Sequence, residues 1–120
     1  MNKKIYIAGA HSRAQTLRVY LQYLYPDIQM EAYLVDDMAE NDVVVGGVPV
    51  LLIQEGLHTE YPVYIGTRGV NHPKIIEELK SVGFSEIIPL TVDLDMRLRN
   101  EFIRKFYVEQ GKKFVLIDDL

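Results

Sequence analysis

The chain of 120 residues contains no cysteine. Neither a disulfide nor a thiolate metal site can form, which fits a reducing compartment. Histidine is scarce, with three in all, and H-E-x-x-H, G-x-S-x-G and G-K-[ST] do not occur. Zinc-hydrolase, serine-hydrolase and P-loop readings therefore have no residues to rest on. Positive charge is in deficit: 13 Lys and Arg against 17 Asp and Glu leave a formal net charge of −4. That balance argues against nucleic acid or anionic lipid as a partner. No apolar run approaches the roughly 20 residues needed to cross a bilayer, and Ile5 to Ala10 is too short for a signal-peptide core. The expectation is a cytoplasmic protein with no membrane span. Linkers, repeats and low-complexity stretches are missing as well, so residues 1–120 read as one domain. The ending, Phe114 to Ile117 followed by Asp118, Asp119 and Leu120, reads as a cut within a longer protein.

With 48% apolar and 25% charged residues, the chain can bury one respectable core. Ile5 to Ala8 and Met30 to Val35 read as strands flanking a helix over Ala14 to Tyr25, in which Leu17, Leu21 and Leu24 recur at helical spacing. Pro26 and Asp27 stop that helix. Val43 to Val45 and Val48 to Ile53, joined by Gly46 and Gly47, read as a hairpin at the sheet's edge. Pro62 to Ile65 is a further strand. It leads to a helix over Pro73 to Val82 that Gly83 closes. Ile87 and Ile88 form a short strand, Leu94 to Gln110 an amphipathic helix ended by Gly111, and Phe114 to Ile117 a last strand. Strands alternating with helices predict an α/β fold, a Rossmann-like three-layer αβα arrangement with a mostly parallel sheet in the order 3-2-1-4-5 and an edge hairpin. The topological switch beside the first strand would place Gly9 to Arg13 and Gly66 to Asn71 together at a ligand site.

Gly9 permits a sharp turn into the first helix, and the amides of His11, Ser12 and Arg13 would face an anion, with the Ser12 hydroxyl and Arg13 guanidinium as further donors. A purely structural alternative has Gly9 turning the chain and Ser12 capping the helix. Asp36 and Asp37 follow the second strand, where a carboxylate accepts from ribose hydroxyls or a base N–H; alternatively Asp37 starts an Asx turn. No basic residue stands beside them in sequence to receive a 2′-phosphate, which disfavours NADP. Gly66, Thr67, Arg68 and Asn71 fall in the loop after the Pro62 to Ile65 strand and invite a phosphate or sugar contact. His72 reads as a surface residue. His11 is better placed for chemistry but has no sequence-near partner. Asp93-Leu94-Asp95 has the D-x-D form that holds metal and nucleotide in many glycosyltransferases. Its place before a helix favours Asp93 as N-cap and Asp95 as first-turn carboxylate. No complete catalytic constellation emerges.

The runs Ile7-Ala8-Gly9-Ala10, Tyr33-Leu34-Val35-Asp36-Asp37, Val44 to Val50 and Ile75 to Phe84 resemble the N-terminal nucleotide-sugar-binding domain of bacterial sugar acyltransferases over residues 3 to 88. The family motif Gly-Ala-Gly-Gly-His-Ala falls on Gly9 to Ala14. Gly9, Ala10 and Ala14 match, whereas His11 and Ser12 replace the two inner glycines and Arg13 replaces the histidine. The resemblance implies that Gly9 to Arg13 hold a diphosphate and that Asp36 and Asp37 lie near the nucleoside of a UDP-sugar. The hexapeptide repeats of those acyltransferases are missing. From Ile87 onward the chain is similar instead to accessory domains of bacterial surface-polysaccharide glycosyltransferases. Together these likenesses imply a nucleotide-sugar-binding domain whose chemistry resides in a C-terminal catalytic domain, with a homo-oligomer as one possible state. The rivals are an NAD-binding oxidoreductase domain and a non-catalytic interaction module that has lost its ligand.

Overall fold

A computed structural model describes residues 3–39, 41–67 and 69–110. The expected Phe114 to Ile117 strand, the Gly111 helix stop and Arg68 lie outside these residues. Six strands and three α-helices follow one another as β1 (Lys3–Ala8), α1 (Ser12–Leu24), β2 (Ile28–Val35), β3 (Val44–Val45), β4 (Val48–Leu52), β5 (Val63–Ile65), α2 (His72–Val82), β6 (Ile87–Pro89) and α3 (Val92–Glu109). A single 3₁₀ turn, Gly69–Asn71, leads into α2.

The strands form one mixed, mostly parallel sheet in the order β3-β4-β2-β1-β5-β6. This differs from the five-strand order 3-2-1-4-5 expected from sequence. The hairpin adds two strands to one side of the sheet, because β4 pairs parallel with β2 while β3 folds back antiparallel on β4. Gly46 and Gly47, at φ 56° and 80°, supply the left-handed backbone that a two-residue turn of this kind demands. At the other side, β6 pairs with β5 through Pro89. Proline is tolerated there because β6 is the outermost described strand and its missing N–H faces away from the ladder.

The alternation of β1 divides the interior into two cores. Ile5 and Ile7 face Ala14, Leu17 and Leu21 of α1 and Leu98 of α3. Tyr6 and Ala8 face Ile75 and Leu79 of α2 together with Phe84. Helices α1 and α3 thus cover one face of the sheet and α2 the other, as the period-two pattern of a doubly covered strand requires. Phe102 packs on Tyr20 and Tyr23 with ring centroids 5.1 and 4.9 Å apart, and Lys105 donates to the Tyr23 carbonyl at 2.8 Å. Tyr23 in turn donates to the Glu109 carboxylate, so the end of α1 is tied to α3 along its length.

The helix termini depart from expectation in two places. Helix α1 begins at Ser12, and its N-cap is His11, with extended backbone and no capping side-chain bond among the described residues. Ser12 is therefore not the cap, because the chain enters helical geometry one residue earlier than an N-cap serine there would allow. Helix α3 is capped by Thr91, whose hydroxyl accepts from the Leu94 amide at 3.1 Å, and Asp93 sits in the first turn beside Asp95. The D-x-D carboxylates meet the macrodipole, but the capping falls to threonine. Gly83 closes α2 in the left-handed region, as the sequence implies. No helix among the described residues is long and apolar enough to cross a membrane.

Tyr6 couples this fold to pH. Its ring, 1% exposed, lies edge-on to Phe84, and its phenol oxygen accepts from the His58 amide at 3.1 Å. Burial pushes the phenol above its ordinary range; the His58 bond opposes this, and Glu31 and Glu60 add to it. The folded chain therefore keeps this proton where the unfolded chain has lost it. Stability from this source is complete below about pH 10 and disappears as pH rises through the folded value. Urea midpoints should hold between about pH 7 and 9 and fall above pH 10. Tyr6→Phe should fall less steeply, after losing about 1 kcal/mol at neutral pH by leaving the His58 amide without its acceptor. Identical alkaline slopes for the two proteins would show that Tyr64 or Tyr23, both also shifted upward, governs the transition instead.

Candidate functional site

Three strand ends converge where β1 lies between β2 and β5. After β1 the chain turns at Gly9, whose φ is 103°, and its amide donates to the Leu34 carbonyl at 2.7 Å. After β5, the Gly66 amide donates to Ala8 at 2.9 Å. These bonds bring the two turns into contact. A Cβ on Gly9 would stand 2.9 Å from Thr67 Cγ2, and one on Gly66 would stand 2.8 Å from the Ala14 Cα. Gly66 is buried and serves close packing of the β5 end under α1.

Beside this contact, on the α2 side of the sheet, opens a cleft of about 610 Å³. Gly9, Ala10 and His11 form one wall, Asp36 and Asp37 with Asn41 and Ile53 another, and Thr67, Lys74 and Glu78 the third. The volume is in the range of small-molecule sites, and the location at the carboxyl ends of parallel strands is where α/β sheets hold ligands. Gly9, Ala10, His11, Asp36, Asp37 and Thr67 thus line one cleft.

Ser12 and Arg13 do not. Both line a separate hollow of about 260 Å³, shared with Thr16, Tyr20, Leu90 and Asp95 on the α3 side. The cause is helical geometry: successive side chains rotate by about 100° around α1, so residues following His11 turn away from the cleft. Only backbone amides of that first turn remain free of intrahelical partners. Arg68 lies outside the described residues, and Asn71 does not line the cleft.

Asp37 does form the Asx turn held open as an alternative. Its Oδ1 accepts from the Ala39 amide at 2.8 Å, while its carbonyl accepts from the Asn41 side chain at 2.7 Å. Asp36 instead meets Lys74, whose Nζ donates to Oδ2 at 3.3 Å and lies 3.7 Å from the Glu78 carboxylate. The bond to Asp36, then the charges of Asp36 and Glu78, hold the Lys74 ammonium above the usual lysine range. Sequence reasoning found no basic neighbour for the paired aspartates because Lys74 comes from α2, far along the chain. Its sole sequence signal is the i, i+4 spacing to Glu78 on that helix.

Thr67 carries a second local peculiarity. Its Oγ1 is buried with no hydrogen-bond partner among the described residues, and its carbonyl lies 3.0 Å from His72 Nε2. His72 therefore braces the loop rather than standing free at the surface. No group of three or more histidine, aspartate or glutamate side chains among the described residues is arranged to hold a metal. Among known proteins, no family model and no curated sequence matches the chain.

Gly9→Ala should cost about 1–3 kcal/mol through its positive φ, with Thr67 able to yield part of the steric conflict by rotating. Gly66→Ala should cost about 1–3 kcal/mol for another reason, since it forces the Ala14 backbone of α1 away from the sheet. Urea unfolding checks both, and an unchanged midpoint for Gly66→Ala would rule out so close a seating of α1.

Proposed function

We propose that the chain is a Rossmann-like nucleotide-sugar-binding domain, taking a UDP-sugar on behalf of a bacterial glycosyltransferase or related sugar-modifying transferase in polysaccharide biosynthesis. The observation that carries the reading is the convergence of Gly9 to His11, Asp36 and Asp37, and Thr67 on one cleft of about 610 Å³. The resemblance over residues 3 to 88 supplies the ligand class. Gly9, Ala10 and His11 would lie along the diphosphate, with the first-turn amides of α1 and the positive end of its dipole as the attracting groups. Asp36 and Asp37 would meet the nucleoside.

Catalysis would belong to a further domain of the full-length protein, because among the described residues the cleft brings no nucleophile and base into contact. An NAD site is the alternative at the same turn, where His11 and Ser12 stand in place of the glycines that dinucleotide and nucleotide-sugar motifs both carry.

Calorimetric titration with UDP, UDP-glucose, UDP-N-acetylglucosamine and NADH tests this reading. Saturable binding of UDP and at least one UDP-sugar is expected, with NADH silent. Arg13→Ala should leave UDP affinity within about twofold, since an exposed charge outside the cleft contributes little. Saturable NADH binding without any UDP response would favour the oxidoreductase alternative. Silence toward all four at millimolar concentration would favour an interaction module.

A further inference from the structure

The hollow between α1 and the start of α3 lies outside the cleft and has its own chemistry. Its volume of about 260 Å³ falls below the range of drug-sized sites and suits a single sugar ring. Ser12, Thr16 and Tyr20 recur at four-residue spacing, so α1 presents three hydroxyls along one stripe, with Arg13 next to it. Asp95 joins them from the first turn of α3. Leu90, 7% exposed, and the Tyr20 ring supply the apolar lining, and Phe102 braces that ring with centroids 5.1 Å apart.

Arg13 and Asp95 carry opposite charges in one hollow, yet they form no ion pair with each other or with any other described residue. A guanidinium and a carboxylate held apart leave N–H donors and acceptor oxygens for whatever sits between them. Their charges offset each other, so a free anion meets Asp95 and a free cation meets Arg13. A neutral polyhydroxylated ring satisfies both: its hydroxyls donate to Asp95 and accept from Arg13, while its C–H face rests on Tyr20 and Leu90.

We propose that this hollow is a subsite for a neutral saccharide unit. His11 lines the cleft and Ser12 the hollow, and consecutive Cα atoms stand about 3.8 Å apart, so the two spaces meet at the start of α1. Two sources can supply such a ring. One is the sugar of a nucleotide-sugar seated in the cleft, which rests on the nucleotide reading above; the other is a separate acceptor sugar, which does not.

NMR titration of the isotope-labelled chain tests the subsite with the methyl β-glycosides of glucose, galactose and N-acetylglucosamine, their UDP-linked counterparts, UDP alone and inorganic phosphate. At least one glycoside or UDP-sugar should shift the amides of Ser12, Thr16 and Asp95 saturably, a free glycoside doing so in the millimolar range of so small a ligand. Arg13→Ala and Asp95→Asn should each weaken the free glycoside, or the advantage of the UDP-sugar over UDP, by about fivefold, the scale of one hydrogen bond to a charged group at a surface site. Shifts in the hollow with a free glycoside assign a separate sugar. Shifts there with a UDP-sugar only, together with the amides of Asp36 and Asp37, assign the sugar of the nucleotide. Hollow amides that stay still under every sugar, or that respond equally in both variants, would overturn the subsite, as would movement with phosphate alone. UDP silent at the cleft while a glycoside moves the hollow would remove the nucleotide reading and leave the saccharide subsite standing.

Discussion

The contact between the turn after β1 and the turn after β5 is the constraint on which the remaining structure depends. Two glycines make it possible: Gly9 by adopting a φ of 103°, and Gly66 by letting the Ala14 backbone settle where a Cβ would intrude. Once these turns touch, α1 must leave β1 across one face of the sheet, and the cleft must open on the other. The bonds from Gly9 to Leu34 and from Gly66 to Ala8 fasten both neighbours of β1 to that point. The base of the cleft is thereby fixed by backbone hydrogen bonds on both sides of β1.

The same constraint splits the chemistry of α1 between two surfaces. His11 remains in the cleft with Gly9 and Ala10, while Ser12 and Arg13 enter the hollow bounded by Tyr20, Leu90 and Asp95. A consecutive run of polar residues after a glycine thus faces two different places. That distinction is invisible in a motif written as a string.

Sequence periodicity gave the elements well because each is governed by local rules: leucines at helical spacing in α1, Gly46 and Gly47 between valines, and Gly83 at the end of α2. Tertiary geometry governed what it missed. The strand order depends on whether the hairpin adds one strand or two to the sheet, which hinges on β4 finding β2. Lys74 reaches Asp36 across 38 positions of sequence, and no local pattern announces such a partner. Thr91 took the capping role from Asp93 because helix α3 begins at Val92, a boundary shift of two residues that inspection of propensity alone does not resolve.

Electrostatics gives the cleft a direction. Carboxylates gather at the β2 and α2 side, whereas the β1 side presents glycine, alanine, histidine and the beginning of a helix. Among the described residues, a diphosphate laid across the carboxylate side would meet three like charges and one ammonium already shared between two of them. Turned the other way, it meets uncharged backbone and the positive end of the α1 dipole, which falls off within one turn. An elongated ligand with an anionic segment and a neutral hydroxyl-bearing segment consequently has one favourable orientation in this cleft. A chain with a charge deficit can present such a polarised cleft, because the positive end of a helix dipole is local backbone chemistry that needs no basic surface.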